Sequence, residues 1–150
     1  MPYKFSRESY ERAVDDVRPL LREHWQELAT YEDVPLDPDF DSYRVVDAAG
    51  MLRVYTARLD GALVGYAIFF VRPHHHYRST LWAISDIILV RREHRNLGLG
   101  DGLFGFVERD LAADGVKVMY TMAKLAHPEL SFLLESRGHV KNEVIHAKRL

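Results

Sequence analysis

Two glycines one residue apart, Gly98 and Gly100, lie between two apolar segments, and this arrangement suits the binding of a phosphate group. The first segment, Ile87–Val90, has the character of a strand. The second predicts an amphipathic helix, because its apolar residues recur four apart: Leu99, Leu103, Val107 and Leu111. Glycine has no Cβ atom, so successive backbone N–H groups can converge on an anion, and a helix N-terminus adds about half a positive charge. The segment therefore predicts an anion cradle.

Two common phosphate-binding motifs do not fit this segment. A Walker loop needs a lysine and then Ser or Thr after its second glycine, whereas Gly100 is followed by Asp101 and Gly102. The dinucleotide fingerprint Gly-x-Gly-x-x-Gly fits only out of register, and it belongs to an early βαβ unit. Here the glycines follow segments that alternate like antiparallel strands. Neither a mononucleotide nor a dinucleotide site is therefore predicted.

The segment Arg95–Gly100, Arg-Asn-Leu-Gly-Leu-Gly, resembles the acetyl-CoA pyrophosphate loop of the GNAT N-acetyltransferase superfamily. The resemblance implies acetyl-CoA as co-substrate and direct transfer of its acetyl group to a primary amine of a small molecule or protein. Arg91 and Arg92 either contact outlying phosphates or are solvated loop arginines. The residues implied in cofactor binding are the strand end and the loop: Ile88, Leu89, Val90, Arg95, Asn96, Leu97, Gly98, Leu99, Gly100 and Asp101.

Asp86 is the predicted general base. It lies four residues before Val90, where members of the superfamily often carry an acidic residue near the acceptor. An acid in an apolar strand is costly unless it is paired or faces a cavity, and burial would raise its pKa toward neutrality. The alternatives are a structural hydrogen bond and a solvent-facing strand edge.

The sequence departs from the superfamily at the position of the general acid. Many members carry a tyrosine in the fourth helix, within a pattern like Leu-Tyr-Glu-x-x-Gly-Phe, which protonates the departing thiolate. The matching segment is Leu133–His139, in which Leu134 takes the tyrosine position and His139 the phenylalanine position. Either water or another side chain supplies the proton, or the protein binds the cofactor without fast catalysis. The candidate side chains for this proton are His127, Ser131 and Tyr120.

The run His74-His75-His76-Tyr77 follows the predicted third strand and contains imidazoles, which titrate near neutral pH. In GNAT folds this bend lies close to the acceptor side, so His76 and Tyr77 are candidates for acceptor recognition or proton transfer. The alternative is an exposed polar loop. No third ligand with suitable spacing accompanies the histidines, so no metal site is predicted.

Four aspartates lie between the first two predicted helices, a region that commonly shapes the acceptor pocket in the superfamily: Asp33, Asp37, Asp39 and Asp41. They either attract a cationic amine, such as a polyamine, an aminoglycoside-like compound or a lysine side chain, or form an ordinary hydrated loop. Two other classes of function stay open. One is a regulatory or partner module that binds acyl-CoA, and the other is a GNAT protein acting on a protein lysine or an aminoacyl-tRNA.

The elements that position these residues are predicted in the order β-α-α-β-β-β-α-β-α-β. This order is similar to the GNAT fold, an α/β (α+β) arrangement whose mixed, mostly antiparallel sheet is flanked by helices and splayed at strands four and five. The predicted strands are Tyr3–Phe5, Leu52–Leu59, Ala62–Val71, Thr80–Val90, Val116–Met122 and about Val144–Leu150. The first predicted helix begins at a cap, Ser6 or Ser9, and runs to about Tyr31, with Pro19 kinking or dividing it. The other predicted helices cover Phe40–Ala49, the segment after Gly98 and about Pro128–Arg137.

Length and composition narrow the classes of function. With 150 residues, the chain is expected to form a single domain, 1–150. A net charge of −2 predicts no nucleic-acid partner, and no apolar run predicts a membrane segment or a signal peptide. The absence of cysteine excludes a disulfide framework and fits a cytoplasmic protein. Apolar residues of the terminal strand are able to pair across an edge in a homodimer.

Overall fold

The computed structural model describes residues 2–150. Its strands are β1 (Lys4–Glu8), β2 (Leu52–Leu59), β3 (Ala62–His74), β4 (Tyr77–Val90) and β5 (Val116–Tyr120). Its helices are α1 (Tyr10–Leu28), α2 (Phe40–Ala48), α3 (Leu99–Ala113) and α4 (Glu129–Ser136), with a short 3-10 turn at Arg92–His94. The predicted order of elements is confirmed as far as α4.

The strands form one sheet in the order β1-β2-β3-β4-β5. Neighbouring strands are antiparallel except β4 and β5, which are parallel because α3 connects them. Two separate apolar clusters cover the two faces of this sheet. One packs α3 and α4 against residues such as Phe69 and Ala83, and the other packs α1 against residues such as Val54 and Ile68. The predicted fold class, a mixed and mostly antiparallel sheet flanked by helices, is confirmed.

Helix α1 begins at Ser9, whose side chain accepts a hydrogen bond from the Arg12 N–H group, while Ser6 lies within β1. Of the two predicted caps, the structure therefore selects Ser9. The predicted division at Pro19 is wrong, because one continuous helix runs through it. Pro19 lies on the exposed face, so the carbonyl of Asp15 that loses its helical partner can be hydrated.

Strands β4 and β5 diverge at the end that leads into the glycine turn. Their pairing ends at Ile84 and Tyr120, and the next contact is a side-chain bond, in which Ser85 Oγ accepts from the Met122 N–H group at 2.9 Å. From there to Val90, β4 pairs with β3 alone within the described part of the chain. The predicted splay between the fourth and fifth strands is confirmed, and it leaves one backbone edge of β4 without a strand partner.

The predicted terminal strand around Val144–Leu150 is wrong. Residues 137–150 form neither helix nor strand, and Val144 and Ile145 are exposed. The two apolar residues are adjacent, so they would point to opposite faces of a strand and leave no face with a continuous apolar row. A separate finding concerns the helices: none of those in residues 2–150 is long and apolar enough to cross a membrane.

Candidate active site

The turn between β4 and α3 has the backbone geometry of an anion cradle. Gly98 precedes α3 with a φ of 79°, and Asn96 has a φ of 60°, so the chain twice enters the left-handed region that favours glycine and asparagine. No side chain caps α3, and its first backbone bond runs from Gly102 to the Gly98 carbonyl. The start of the helix is therefore left open toward the turn.

The N–H groups of residues 96–101 form no hydrogen bond with any other residue that the structure describes. Six consecutive donors, from Asn96 to Asp101, are thus free to bind an anion together with the helix dipole. Arg95 differs from its neighbours, because its N–H group donates to the Arg92 carbonyl at 3.2 Å. The set of available backbone donors therefore begins one residue later than the sequence predicts.

The Arg95 side chain ties the turn to the last part of α1. Its guanidinium donates to both carboxylate oxygens of Glu27, at 2.6 and 3.0 Å, and its Nε donates to the Val90 carbonyl at 2.9 Å. Arg92 adds a longer bond to the same carboxylate, at 3.3 Å. These guanidinium groups lower the pKa of Glu27 to about 2. Arg95 thus ties the turn to α1. Arg92 is largely exposed, and its bond to Glu27 is a weaker second link between the same elements.

Helix α4 packs against the open end of α3. A Cβ atom on Gly100 would lie 3.1 Å from a methyl group of Leu133, so Gly100 also permits this close approach. The Asp101 carboxylate forms an ion pair with Arg137, which also pairs with Glu108 at 2.6 Å. Arg137 therefore offsets a negative charge that would otherwise stand beside a bound anion.

Asp86 and Tyr43 meet on the opposite face of β4. The Tyr43 hydroxyl, from α2, donates to Asp86 Oδ2 at 2.5 Å. Asp86 occupies a bulge, since Ile87 pairs with Ile68 while Ser85 pairs with Phe69, and Asp86 has no residue opposite it. Although its side chain keeps access to solvent, loss of hydration within the surrounding protein raises the pKa of Asp86, and the Tyr43 hydrogen bond acts in the opposite direction.

The structure separates His76 and Tyr77 from Asp86. Both lie at the far end of the β3–β4 hairpin, where Tyr77 pairs with His74, whereas Asp86 lies level with Ile68 and Phe69. About five to six residues of β3, about 18 Å, therefore separate Tyr77 from Asp86 along the sheet. The Tyr77 ring stacks on Trp82 with centroids 5.7 Å apart, and His74 packs against the same indole at 4.4 Å. That this bend lies beside the acceptor stays a prediction, and it would require an acceptor that reaches beyond Asp86. The aromatic cluster instead holds the end of the hairpin together.

The predicted proton donors are distributed around the splay. Tyr120 ends the paired part of β5, and its hydroxyl lies 3.5 Å from Glu143. His127 lies between β5 and α4, with its ring free of hydrogen bonds to the described residues, and Ser131 donates to Glu135 at 3.1 Å. Leu134 is buried in the core beneath α3. A tyrosine in its place would displace core packing, so this position offers no proton donor.

Three of the four loop aspartates already have partners. Asp33 forms an ion pair with Arg149, Asp39 caps α2 by accepting from the Ser42 N–H group at 2.9 Å, and Asp41 pairs with Arg44 at 2.6 Å. Their charge is therefore partly neutralised or used locally. Among residues 2–150, no group of three or more histidine, aspartate or glutamate side chains is placed to hold a metal ion.

Two residues of this region were missed by sequence reasoning, Tyr43 and Glu27. Tyr43 follows Phe40 by one helical turn and packs with it against the same apolar cluster, so the pattern predicts a core position and nothing more. Glu27 is one of several acids in α1, and only 11% of its side chain is exposed. Its partner is 68 residues away in the chain, and no local signal connects them.

Comparison with known proteins agrees with the fold. The family model described as Acetyltransferase (GNAT) family matches residues 14–133. None of the curated protein sequences compared with this chain matches it significantly.

Several solved structures share the fold over nearly the whole chain. An aminoglycoside acetyltransferase, meta-AAC0020, from an uncultured soil metagenomic sample, in complex with trehalose, is 15% identical with a TM-score of 0.78, covering 99% of this chain and 95% of that one. The ribosomal-protein-alanine N-acetyltransferase of Brucella melitensis biovar Abortus 2308 is 19% identical with a TM-score of 0.76, covering 99% of each chain. AAC(6')-Iy, in complex with the bisubstrate analogue CoA-S-monomethyl-acetylneamine, is 17% identical with a TM-score of 0.74, covering 100% of each chain.

Proposed function

The chain belongs to the GNAT acetyltransferase family, and from that premise we propose that it transfers the acetyl group of acetyl-CoA to a primary amine of a small molecule or protein. The observation that carries the proposal is the arrangement at one end of β4. A row of free backbone donors follows the strand, and a carboxylate without an ion pair to any described residue lies four residues before its end.

The residues at the turn fit the cofactor. Its pyrophosphate would be bound by the N–H groups of residues 96–101, at the positive end of α3. The unpaired edge of β4, Ile88–Val90, would hold the pantetheine arm through backbone groups. Arg91 is free to contact an outlying phosphate once its weak pairing with Glu93 opens. When bound, acetyl-CoA supplies the thioester that is the source of the acetyl group.

Asp86 is the proposed general base. An amine reaches the protein mainly as an ammonium ion, and it must lose a proton before its nitrogen can attack a carbonyl carbon. A carboxylate with a raised pKa is a better acceptor for that proton than an ordinary aspartate. The new C–N bond then forms as the C–S bond breaks, and the thiolate of CoA takes up a proton.

The proton for the thiolate comes from water or from a side chain at the splay. Tyr120 lies where β4 and β5 diverge, and His127 follows β5. A thiolate is a tolerable leaving group, so the lack of a donor at Leu134 slows the reaction without preventing it; general acid catalysis is typically worth about 100- to 10,000-fold.

Leu134 also supports a second candidate function, a module that binds acyl-CoA without fast transfer. In this case the turn would serve recognition, and the buried leucine in α4 would mark the loss of a catalytic acid. Proteins with this fold include aminoglycoside acetyltransferases and a ribosomal-protein-alanine N-acetyltransferase. Both are described by amine acceptors, which favours the enzyme over the module.

Calorimetric titration with acetyl-CoA, followed by a thiol-release assay, tests the proposal. The assay is run without an acceptor and then with single amines: a polyamine, an aminoglycoside and a lysine-containing peptide. Binding with amine-dependent release of thiol supports the enzyme. Binding without release, whatever the amine, favours the module. A protein that does not bind acetyl-CoA would contradict both functions.

A further inference from the structure

A stack of three aromatic rings fixes the side chain of Tyr43 beside β4. The Tyr43 ring stacks with Tyr10 of α1, at 5.9 Å and 11°, and with Phe70 of β3, at 6.1 Å and 12°. Two elements that are distant from α2 in the chain thus contact one phenol ring. Because the ring cannot tilt without disturbing its neighbours, the position of its hydroxyl group is fixed as well.

This hydroxyl is the group that orients Asp86. It donates to Oδ2, whereas Oδ1 accepts no hydrogen bond from any residue that the structure describes. Two other titratable groups lie near this pair, Tyr10 of α1 and Tyr66 of β3, and neither bonds to the carboxylate. Glu23 of α1 acts on Tyr66 and forms no bond to Asp86 either. One carboxylate oxygen is thus held and the other stays available.

We propose that Tyr43 is a positioning residue for acetyl transfer, whose hydroxyl holds Asp86 Oδ2 so that Oδ1 accepts the proton of the amine. The inference rests on the proposed function, in which Asp86 is the base. A hydrogen bond from a phenol to a carboxylate favours the ionised form of the acid, so Tyr43 also helps to keep the base charged. Tyr43 itself forms no bond to the substrate and gives up no proton.

Tyr43→Phe tests this role, because it keeps the stacked ring and removes the hydroxyl alone. The acid limb of the kcat/KM profile for the amine should move to higher pH, by about one unit. The Kd for acetyl-CoA should not change. Tyr10→Phe is the matched control: it removes a hydroxyl from the same stack, one that is buried and has no hydrogen-bond partner. Its profile should coincide with that of the unaltered protein.

A second measurement keeps the test independent of turnover. Titration of the Asp86 carboxyl carbon by 13C NMR should give a higher pKa in Tyr43→Phe than in the unaltered protein and in Tyr10→Phe. Equal pKa values and coincident acid limbs would overturn the role of Tyr43 while leaving the proposed function intact. If the proposed function fails instead, amine-dependent thiol release is absent from the unaltered protein, and the NMR titration still decides whether Tyr43 controls the ionisation of Asp86.

Discussion

On the cofactor side of the candidate site, the proposed donors come from one continuous stretch, Ile88–Asp101, whereas the acceptor side joins Tyr43 of α2 to Asp86 of β4. The first side is made of backbone N–H groups, placed by two left-handed residues and a helix start. The second is made of side chains, placed by packing between a helix and a strand. Substitutions should therefore act on the first side through backbone conformation and on the second through single functional groups.

The largest effect is expected at Asp86. Replacing it by asparagine preserves its shape and removes the proton acceptor, so kcat should fall by about 100- to 10,000-fold. Partial loss of hydration raises the pKa of Asp86, and the acid limb of the pH profile that this carboxylate sets should disappear in the variant. Steady-state kinetics across pH measure both changes, and calorimetry should give an unchanged Kd for acetyl-CoA. A tenfold rise in the Kd for acetyl-CoA would contradict the separation of the cofactor side from the acceptor side.

A smaller effect, on the other side, is expected at Gly98. An alanine there must adopt a φ of 79°, which costs about 1–2 kcal/mol, and relaxation of that strain would turn the free N–H groups away from one another. The Kd for acetyl-CoA should rise about tenfold, with little change in kcat at saturation.

Gly115→Ala is the matched control for Gly98→Ala. Gly115 follows the opposite end of α3 with a φ of 86°, and neither glycine has another atom within 4 Å of an added Cβ. Both substitutions should therefore lower the free energy of unfolding by similar amounts, as measured by urea denaturation. If both substitutions weakened acetyl-CoA binding equally, the loss of binding would come from lower stability, and the proposal that the turn binds the pyrophosphate would be contradicted.

Sequence reasoning succeeded where structure is local and failed where it is not. The glycine turn, the amphipathic α3 and strand β2 each depend on neighbours within a few residues, so their patterns are visible in the sequence. The register that places Asp86 in a bulge joins residues 16 and 19 positions apart, and the hydrogen bond between Tyr43 and Asp86 spans 43 positions. Such contacts leave no periodic signal in a single sequence.

The two ends of β4 illustrate a further reason. Val90 and the glycine turn were placed correctly, but His76 and Tyr77 were expected near the acceptor. A strand boundary predicted at Thr80 shortens β4 by three residues and replaces them with a bend. In the structure the extended strand carries the histidines away from Asp86. The position of the acceptor itself stays a prediction, and the roles of His76 and Tyr77 stay predictions with it.

Glu27 links the two sides of the site. It belongs to α1, which packs on the same face of the sheet as Tyr43, and its side chain binds Arg95 of the glycine turn. Glu27→Ala removes the bidentate partner of Arg95, and the freed turn should bind acetyl-CoA about fivefold more weakly, which corresponds to about 1 kcal/mol for a partly exposed ion pair. Glu23→Gln, on the exposed face one turn earlier, is the control. Isothermal titration of both variants with acetyl-CoA decides whether the ion pair between Glu27 and Arg95 supports binding. Identical Kd values would mean that the turn holds its shape without Glu27.

The smallest effect is expected at the far end of the hairpin, in the double variant His76→Ala and Tyr77→Phe. The tyrosine-to-phenylalanine change keeps the ring that stacks on Trp82, and both positions are exposed, so stability should change little. With a small amine as acceptor, kcat and both KM values should stay within about twofold, because about 18 Å along the sheet separates Tyr77 from Asp86. A rise in KM for a lysine-containing protein alone would show that a macromolecular acceptor extends along β4 to the hairpin. The acceptor side would then be as long as the strand, rather than confined to Tyr43 and Asp86.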